Sequence, residues 1–213
     1  MIRMVCFDVG ETLVDETRHW GEWADHMGIP HLTFFAVFGM VIAQGRHHRD
    51  VFQVLRPGFD HDAERAKRIA QGWRYRFEPT DFYPDALPCL RALQARGIKI
   101  GLAGNQPREC EDALRDIGIT VDLIGSSEGW GVEKPSPAFF TRLAQEANLP
   151  PNEIAYVGDR IDNDVGPAAD AGMTAIFLRR GPWAIAQEND PAASKAHLKL
   201  DSLSTLSDAI AKL

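Results

Sequence analysis

From residue 84 onward, short β-like runs alternate with amphipathic helical stretches, a rhythm that restricts the chain to a parallel sheet with helices on both faces. Pro84-Asp85 opens a helix through Leu87, Leu90, Leu93 and Ala95, and Gly97 stands where a helix C-terminus favours a left-handed residue. Strand-like runs follow at residues 98–103, 121–124, 154–157 and 174–178, with an edge strand at 198–200. Helices fall between and after them at 109–117, stopped by Gly118, near 166–171 and at 204–211. Ser136 caps a further helix, with Pro137 in its first turn and Phe139, Phe140, Leu143 and Ala147 along it. The run Met4-Val5-Cys6-Phe7 supplies a first strand ahead of all of these.

Residues 16–80 break the rhythm. They carry helical patterns at 16–27, 31–44, 47–55 and 62–73 with no convincing strand between them. A chain of 213 residues is long enough for one core with a smaller insertion. The expected organisation is a doubly wound, Rossmann-like α/β core from residues 1–15 and 81–213. An all-helical cap subdomain, residues 16–80, is inserted after the first strand and lies over the strand ends.

The chemistry is carried by acids at strand ends. Asp8 follows the first apolar run, and Ile154-Ala155-Tyr156-Val157 leads into Asp159 and Asp164. Ligands of open parallel sheets bind beyond the carboxyl ends of the strands, so these acids can meet there. Massed carboxylates repel one another unless a cation sits between them. That points to a hard divalent metal, Mg²⁺, held by Asp8, Asp159, Asp164 and the Gly10 carbonyl, with Asp8 also able to attack phosphorus. Phosphoryl transfer further needs cationic or N–H donors for the remaining charge. Lys134 supplies the cation, and the backbone amides around Gly104 and Asn105 can bind a phosphoryl oxygen. Each piece has a bland reading when taken singly. Asp8 fits a turn, Gly158-Asp159 a strand-to-helix connection, Asp164 a helix N-cap and Lys134 the surface. Their order and strand-end placement carry the specificity, whereas Asp162 reads as a solvated loop acid.

With these pieces in place, the chain resembles the haloacid dehalogenase-like (HAD) hydrolase superfamily over nearly its whole length. The resemblance implies four motifs on a doubly wound sheet, a helical cap after the first, and Mg²⁺-dependent hydrolysis of phosphate esters through an aspartyl-phosphate on Asp8. Two positions depart from the family pattern. Family phosphatases usually carry a second aspartate two residues after the nucleophile as general acid and base, and here that place is Gly10. The second motif usually presents a serine or threonine hydroxyl, and here that place is Gly104. Such acid–base assistance is worth roughly 10²–10⁴-fold. Glu11, His47 and His48 are the substitutes to consider. Members lacking the second aspartate include 2-haloacid dehalogenases and phosphonate-cleaving enzymes, and the latter would need a cap lysine, for which Lys67 is the only choice. The acidic pair Asp159 and Asp164 favours phosphorus chemistry over a metal-free dehalogenase. A catalytically impaired binding or regulatory protein is the rival from another class.

Composition narrows the partners. A net charge of −7 argues against a nucleic-acid surface, while a small anionic substrate stays compatible because the local field at a site outweighs net charge. The scattered Cys6, Cys89 and Cys110 have no metal-ligand spacing and fit a reducing cytoplasm. Met1-Ile2-Arg3 runs straight into a strand, so no signal peptide is expected, and the apolar stretch at 32–43 is too short to span a bilayer. That stretch, including Leu32 to Phe38, is apolar around most of a helix and reads as cap packing. Any surplus apolar surface would meet substrate or a second subunit, which leaves a homodimer open. Arg46-His47-His48-Arg49 reads as a solvated helix start, and Trp20, Trp23, Trp73 and Tyr75 as cap packing.

Overall fold

The computed structural model describes residues 1–118 and 120–213. Its parallel strands are β1 (Met4–Phe7), β2 (Lys99–Gly104), β3 (Leu123–Ser126), β4 (Ile154–Gly158), β5 (Thr174–Leu178) and β6 (Leu198–Leu200). They lie in the order β3-β2-β1-β4-β5-β6, each hydrogen-bonded in parallel to its neighbour. β1 and β4 are buried along their whole length, as expected for strands covered on both faces. The chain divides into two compact units, residues 1–15 with 77–213 and residues 16–76. Residues 77–80, grouped by sequence with the insertion, therefore pack with the sheet.

In chain order, the helices of the inserted unit are α1 (Thr17–Met27), α2 (His31–Ala43), α3 (Asp50–Leu55) and α4 (His61–Ala70). Trp20, Trp23, Ala24 and Met27 recur at helical spacing and form the buried side of α1, which Gly28 ends at φ 66°. These side chains join Phe34 and Phe38 of α2, and Phe52 of α3, in an aromatic core. The Trp23 and Phe52 ring centroids are 5.2 Å apart, and those of Trp20 and Phe38 4.6 Å. Arg68 of α4 lies between two indoles, 4.5 Å from the Trp23 centroid and 4.7 Å from that of Trp73. The sequence patterns at 47–55 and 62–73 overran their helices. Arg46 is spent on Asp50 ahead of α3, and α4 stops at Ala70, with Gly72 beyond it at φ 97°.

The helices of the sheet unit are α5 (Ala86–Ala95), α6 (Glu109–Arg115), α7 (Ser127–Trp130), α8 (Pro137–Ala147), α9 (Gly166–Asp170), α10 (Gly181–Gln187) and α11 (Leu206–Ile210). α8 buries Phe139, Phe140, Leu143 and Ala147 under a Ser136 cap, as its sequence predicts. β3 lies two residues beyond the predicted run at 121–124. The Asp122 carboxylate accepts from the Ile100 amide and acts as lead-in, while Gly125, which no side chain could occupy beside the Trp130 indole, continues the strand. Among the described residues, no single helix is long and apolar enough to cross a membrane.

Candidate active site

The first strand sits between β2 and β4, so the direction of winding reverses at β1, the place where such sheets open a crevice at their carboxyl ends. Phe7 is level with Leu102 and Val157, and Asp8 leaves the sheet one residue later, its amide donating to the Val157 carbonyl at 2.8 Å. β4 ends at Gly158 and hands over directly to Asp159. A π-helical turn over Ile161–Val165 then carries Asp164 back toward the strand, where its Oδ2 accepts from the Arg160 amide at 3.0 Å. One carboxylate oxygen from each of Asp8, Asp159 and Asp164 lies within 4.8 Å of the others.

Lys134 is the counter-ion of this cluster. Its side chain is fully buried, with Nζ 2.9 Å from Asp8 Oδ1 and 2.6 Å from Asp164 Oδ1. Burial opposes the ammonium charge, but the two carboxylates outweigh it and hold the lysine above its ordinary value. The acids remain in excess. Burial pushes the Asp159 carboxyl well above the usual range, and the charges of Asp164 and Asp8 push it further. Burial also raises Asp164, to about 6, against the lowering effect of Lys134. Among the described residues Asp159 Oδ2 is buried with no hydrogen-bond donor, which is costly for an ionisable oxygen. An all-oxygen donor set with surplus negative charge and an orphaned buried carboxylate oxygen fits a hard divalent cation such as Mg²⁺. Asp8 keeps 11% of its side chain exposed, so its carboxylate has an open edge.

The two glycines around these acids are there for room. A β-carbon on Gly104 would lie 2.3 Å from Asp8 Oδ1, and one on Gly158 2.3 Å from Asp164 Oδ2. Gly10 lies in the turn after Asp8, which the Glu11 amide closes by donating to the Val14 carbonyl. At Asn105 the sequence assigns only the backbone amide to phosphate, and the structure gives the side chain a separate task. Its Nδ2 donates to the Lys134 carbonyl and its Oδ1 accepts from the Lys134 amide, both at 2.8 Å, so it fixes the lysine loop.

The candidate substitutes for the missing acid each have contacts of their own. Glu11, at φ 53°, accepts from the Tyr83 hydroxyl at 2.8 Å and lies against Gly181. His47 and His48 stack at 4.4 Å, and His48 packs edge-on to Trp20 within the inserted unit. Lys67 is 64% exposed and paired with Glu64. Asp162 forms a two-point ion pair with Arg160, accepting from Nε and Nη2. Sequence reasoning missed Tyr156, whose buried hydroxyl donates to the Ala103 carbonyl at 2.7 Å and whose ring lies 5.4 Å from Lys134 Nζ. In the sequence it stands within the apolar run Ile154-Ala155-Tyr156-Val157 and carries no other signal. Sequence reasoning also missed Arg180, which donates to the Thr12 carbonyl beyond the turn that follows Asp8.

Comparison with known proteins agrees with this architecture. A family model described as haloacid dehalogenase-like hydrolase matches residues 2–172. Glyceraldehyde 3-phosphate phosphatase of Methanopyrus kandleri is 38% identical over 105 residues, covering 47% of this chain and 45% of that protein. The chain spans about half the length of the first curated relatives it matches. Among solved structures, a protein described as a predicted phosphoglycolate phosphatase from Haemophilus somnus superposes with a TM-score of 0.71 at 18% identity, covering 98% of both chains. The L-2-haloacid dehalogenase of Xanthobacter autotrophicus, with chloropropionic acid covalently bound, gives 0.70 at 19% identity over 100% of both. At such identities the two structures speak for the fold alone.

Proposed function

We propose, from the premise that the chain belongs to the haloacid dehalogenase-like hydrolase family, that it is a Mg²⁺-dependent phosphatase acting on a small phosphorylated metabolite. One observation carries the reading: three strand-end carboxylates within 4.8 Å of one another, a single buried lysine bridging two of them, and an orphaned oxygen on the third. Asp8, Asp159, Asp164 and the Gly10 carbonyl would hold the ion. When bound, Mg²⁺ neutralises the acids and polarises the phosphoryl group.

The chain's own residues do the rest. An Asp8 oxygen attacks phosphorus and the substrate oxygen departs, leaving an aspartyl-phosphate that water then cleaves. Lys134 holds Asp8 in place and offsets charge on the transferring group, and the amides at Gly104 and Asn105 bind its remaining oxygens. Asn105 keeps Lys134 in register through its paired bonds to the lysine backbone. Relatives named as phosphatases support this chemistry.

The test is Mg²⁺-dependent release of phosphate from p-nitrophenyl phosphate by the protein and by Asp8→Asn. Turnover abolished by the substitution is expected. Chloride release from 2-chloropropionate without phosphate release would favour the dehalogenase reading, for which the absent side chain at Gly10 speaks. No turnover of either would leave a binding protein.

A further inference from the structure

Building on the phosphatase reading, we propose that the substrate is an acyl phosphate, the mixed anhydride of phosphoric and carboxylic acids, in preference to the phosphate ester of an alcohol. The distinction turns on protons. When the phosphorus–oxygen bond breaks, the leaving oxygen takes the electron pair. An alkoxide, comparable in basicity to hydroxide with the pKa of water at about 15.7, needs a proton as it departs. A carboxylate, whose conjugate acid has a pKa of about 4, needs none.

The side chains of the sheet unit around Asp8 are poor sources of that proton. Gly10, Gly104 and Gly158 have none to offer, and at 104 and 158 the adjoining acids leave no room for one. The Lys134 ammonium already donates to Asp8 and Asp164. The Tyr156 hydroxyl is buried and donates to the Ala103 carbonyl. Glu11 is the nearest further acid along the chain. Its carboxylate takes the Tyr83 hydroxyl, and its left-handed backbone turns its β-carbon toward Gly181, itself at φ +73°. The site thus has a nucleophile, a counter-ion and a cation-binding set, and the Lys134, Tyr156 and Tyr83 donors already have acceptors within the fold.

An acyl phosphate needs no proton donor in the first of the two steps. An Asp8 oxygen bonds to phosphorus, the bond from phosphorus to the acyl oxygen breaks, and the carboxylate leaves unprotonated. Water then bonds to the same phosphorus, the bond to Asp8 breaks and restores its carboxylate, and the proton lost by water passes to the released phosphate. Nothing is oxidised or reduced.

The test compares kcat/KM of the full chain with Mg²⁺ on acetyl phosphate, p-nitrophenyl phosphate, phenyl phosphate and glycerol 3-phosphate, with Asp8→Asn as the blank. Acetyl phosphate should exceed glycerol 3-phosphate by at least about 10²-fold, the least that lost acid catalysis costs, with rates falling in step with leaving-group basicity. In Gly10→Asp the ratio between those two substrates should narrow by about 10²–10⁴-fold. If that variant does not fold, the unmodified series still decides. Comparable kcat/KM on acetyl phosphate and glycerol 3-phosphate overturns the inference and leaves the phosphatase reading standing. Absence of Asp8-dependent turnover on all four overturns both.

Discussion

Gly104 and Gly158 show how tightly the acids dictate their neighbours, since a β-carbon at either position would overlap a carboxylate oxygen at 2.3 Å. Restoring the family's usual hydroxyl by Gly104→Ser should therefore displace Asp8 and lower kcat by about 10–10²-fold, the scale of an ångström-sized misplacement. A gain in kcat in steady-state assays would show that the carboxylate can yield without harm. Asp159 invites the opposite experiment. Its Oδ2 is buried without a donor, so Asp159→Asn should raise the melting temperature of the metal-free protein while weakening Mg²⁺ binding by at least about tenfold. Calorimetric affinity unchanged from the parent would remove Asp159 from the metal set. Asp8, Asp159, Asp164 and Lys134 could be read from sequence because each follows an apolar strand or precedes a capped helix. The commitment of the Asn105 side chain could not, because it depends on a partner loop 29 residues away.

Elements buried on both faces were the easiest to read, because β1, β4 and β5 are continuous apolar runs whose sequence needs no partner to interpret. β3 was misplaced because its end rests on packing of Gly125 against the Trp130 indole, and no strand propensity encodes that contact. α10 was missed although Gly181-Pro182 marks its start, and the π-helical turn that returns Asp164 has no periodicity of its own. Tertiary packing likewise creates a pH response in α1. Burial lowers the His19 imidazole from 6.5 to about 4, with Arg68 and Arg18 adding to it against Glu22, and the ring lies among Trp20, Trp73 and Tyr75. The folded unit favours the neutral ring, so its contribution is complete above pH 6.5 and is lost as pH falls toward about 4. Urea midpoints between pH 7 and 4 should fall, and His19→Gln should flatten the profile. An unchanged slope in the variant would assign the acid sensitivity to other groups.

At the scale of the whole molecule, the sheet unit is discontinuous in sequence, and its pieces must be rejoined on either side of residues 16–76. The seam is made by backbone bonds from the Asp15 amide to the Asp81 carbonyl and from the Tyr83 amide to the Leu13 carbonyl, with an antiparallel bridge between Val14 and Phe82. Arg180 fastens it. Its Nη1 donates to the Thr12 carbonyl, its guanidinium lies 4.1 Å from the Tyr83 ring centroid, and its Nη2 is 2.5 Å from Asp85 Oδ2. Asp85 in turn accepts from the Ser202 hydroxyl and the Leu203 amide, so the C-terminal end of the chain closes on the same point. Both partners of the ion pair are largely buried, with 11% and 14% of their side chains exposed. Removing one partner of such a pair leaves an uncompensated charge, so Arg180→Met should cost about 3 kcal/mol by urea denaturation, the lower end expected for a buried pair. Asp85→Asn keeps an acceptor for Ser202 and Leu203 while deleting the charge. Added to Arg180→Met, it should recover much of the loss, so the double variant is more stable than Arg180→Met alone. Strictly additive costs would mean that the ion pair is incidental and that the backbone bonds alone close the seam.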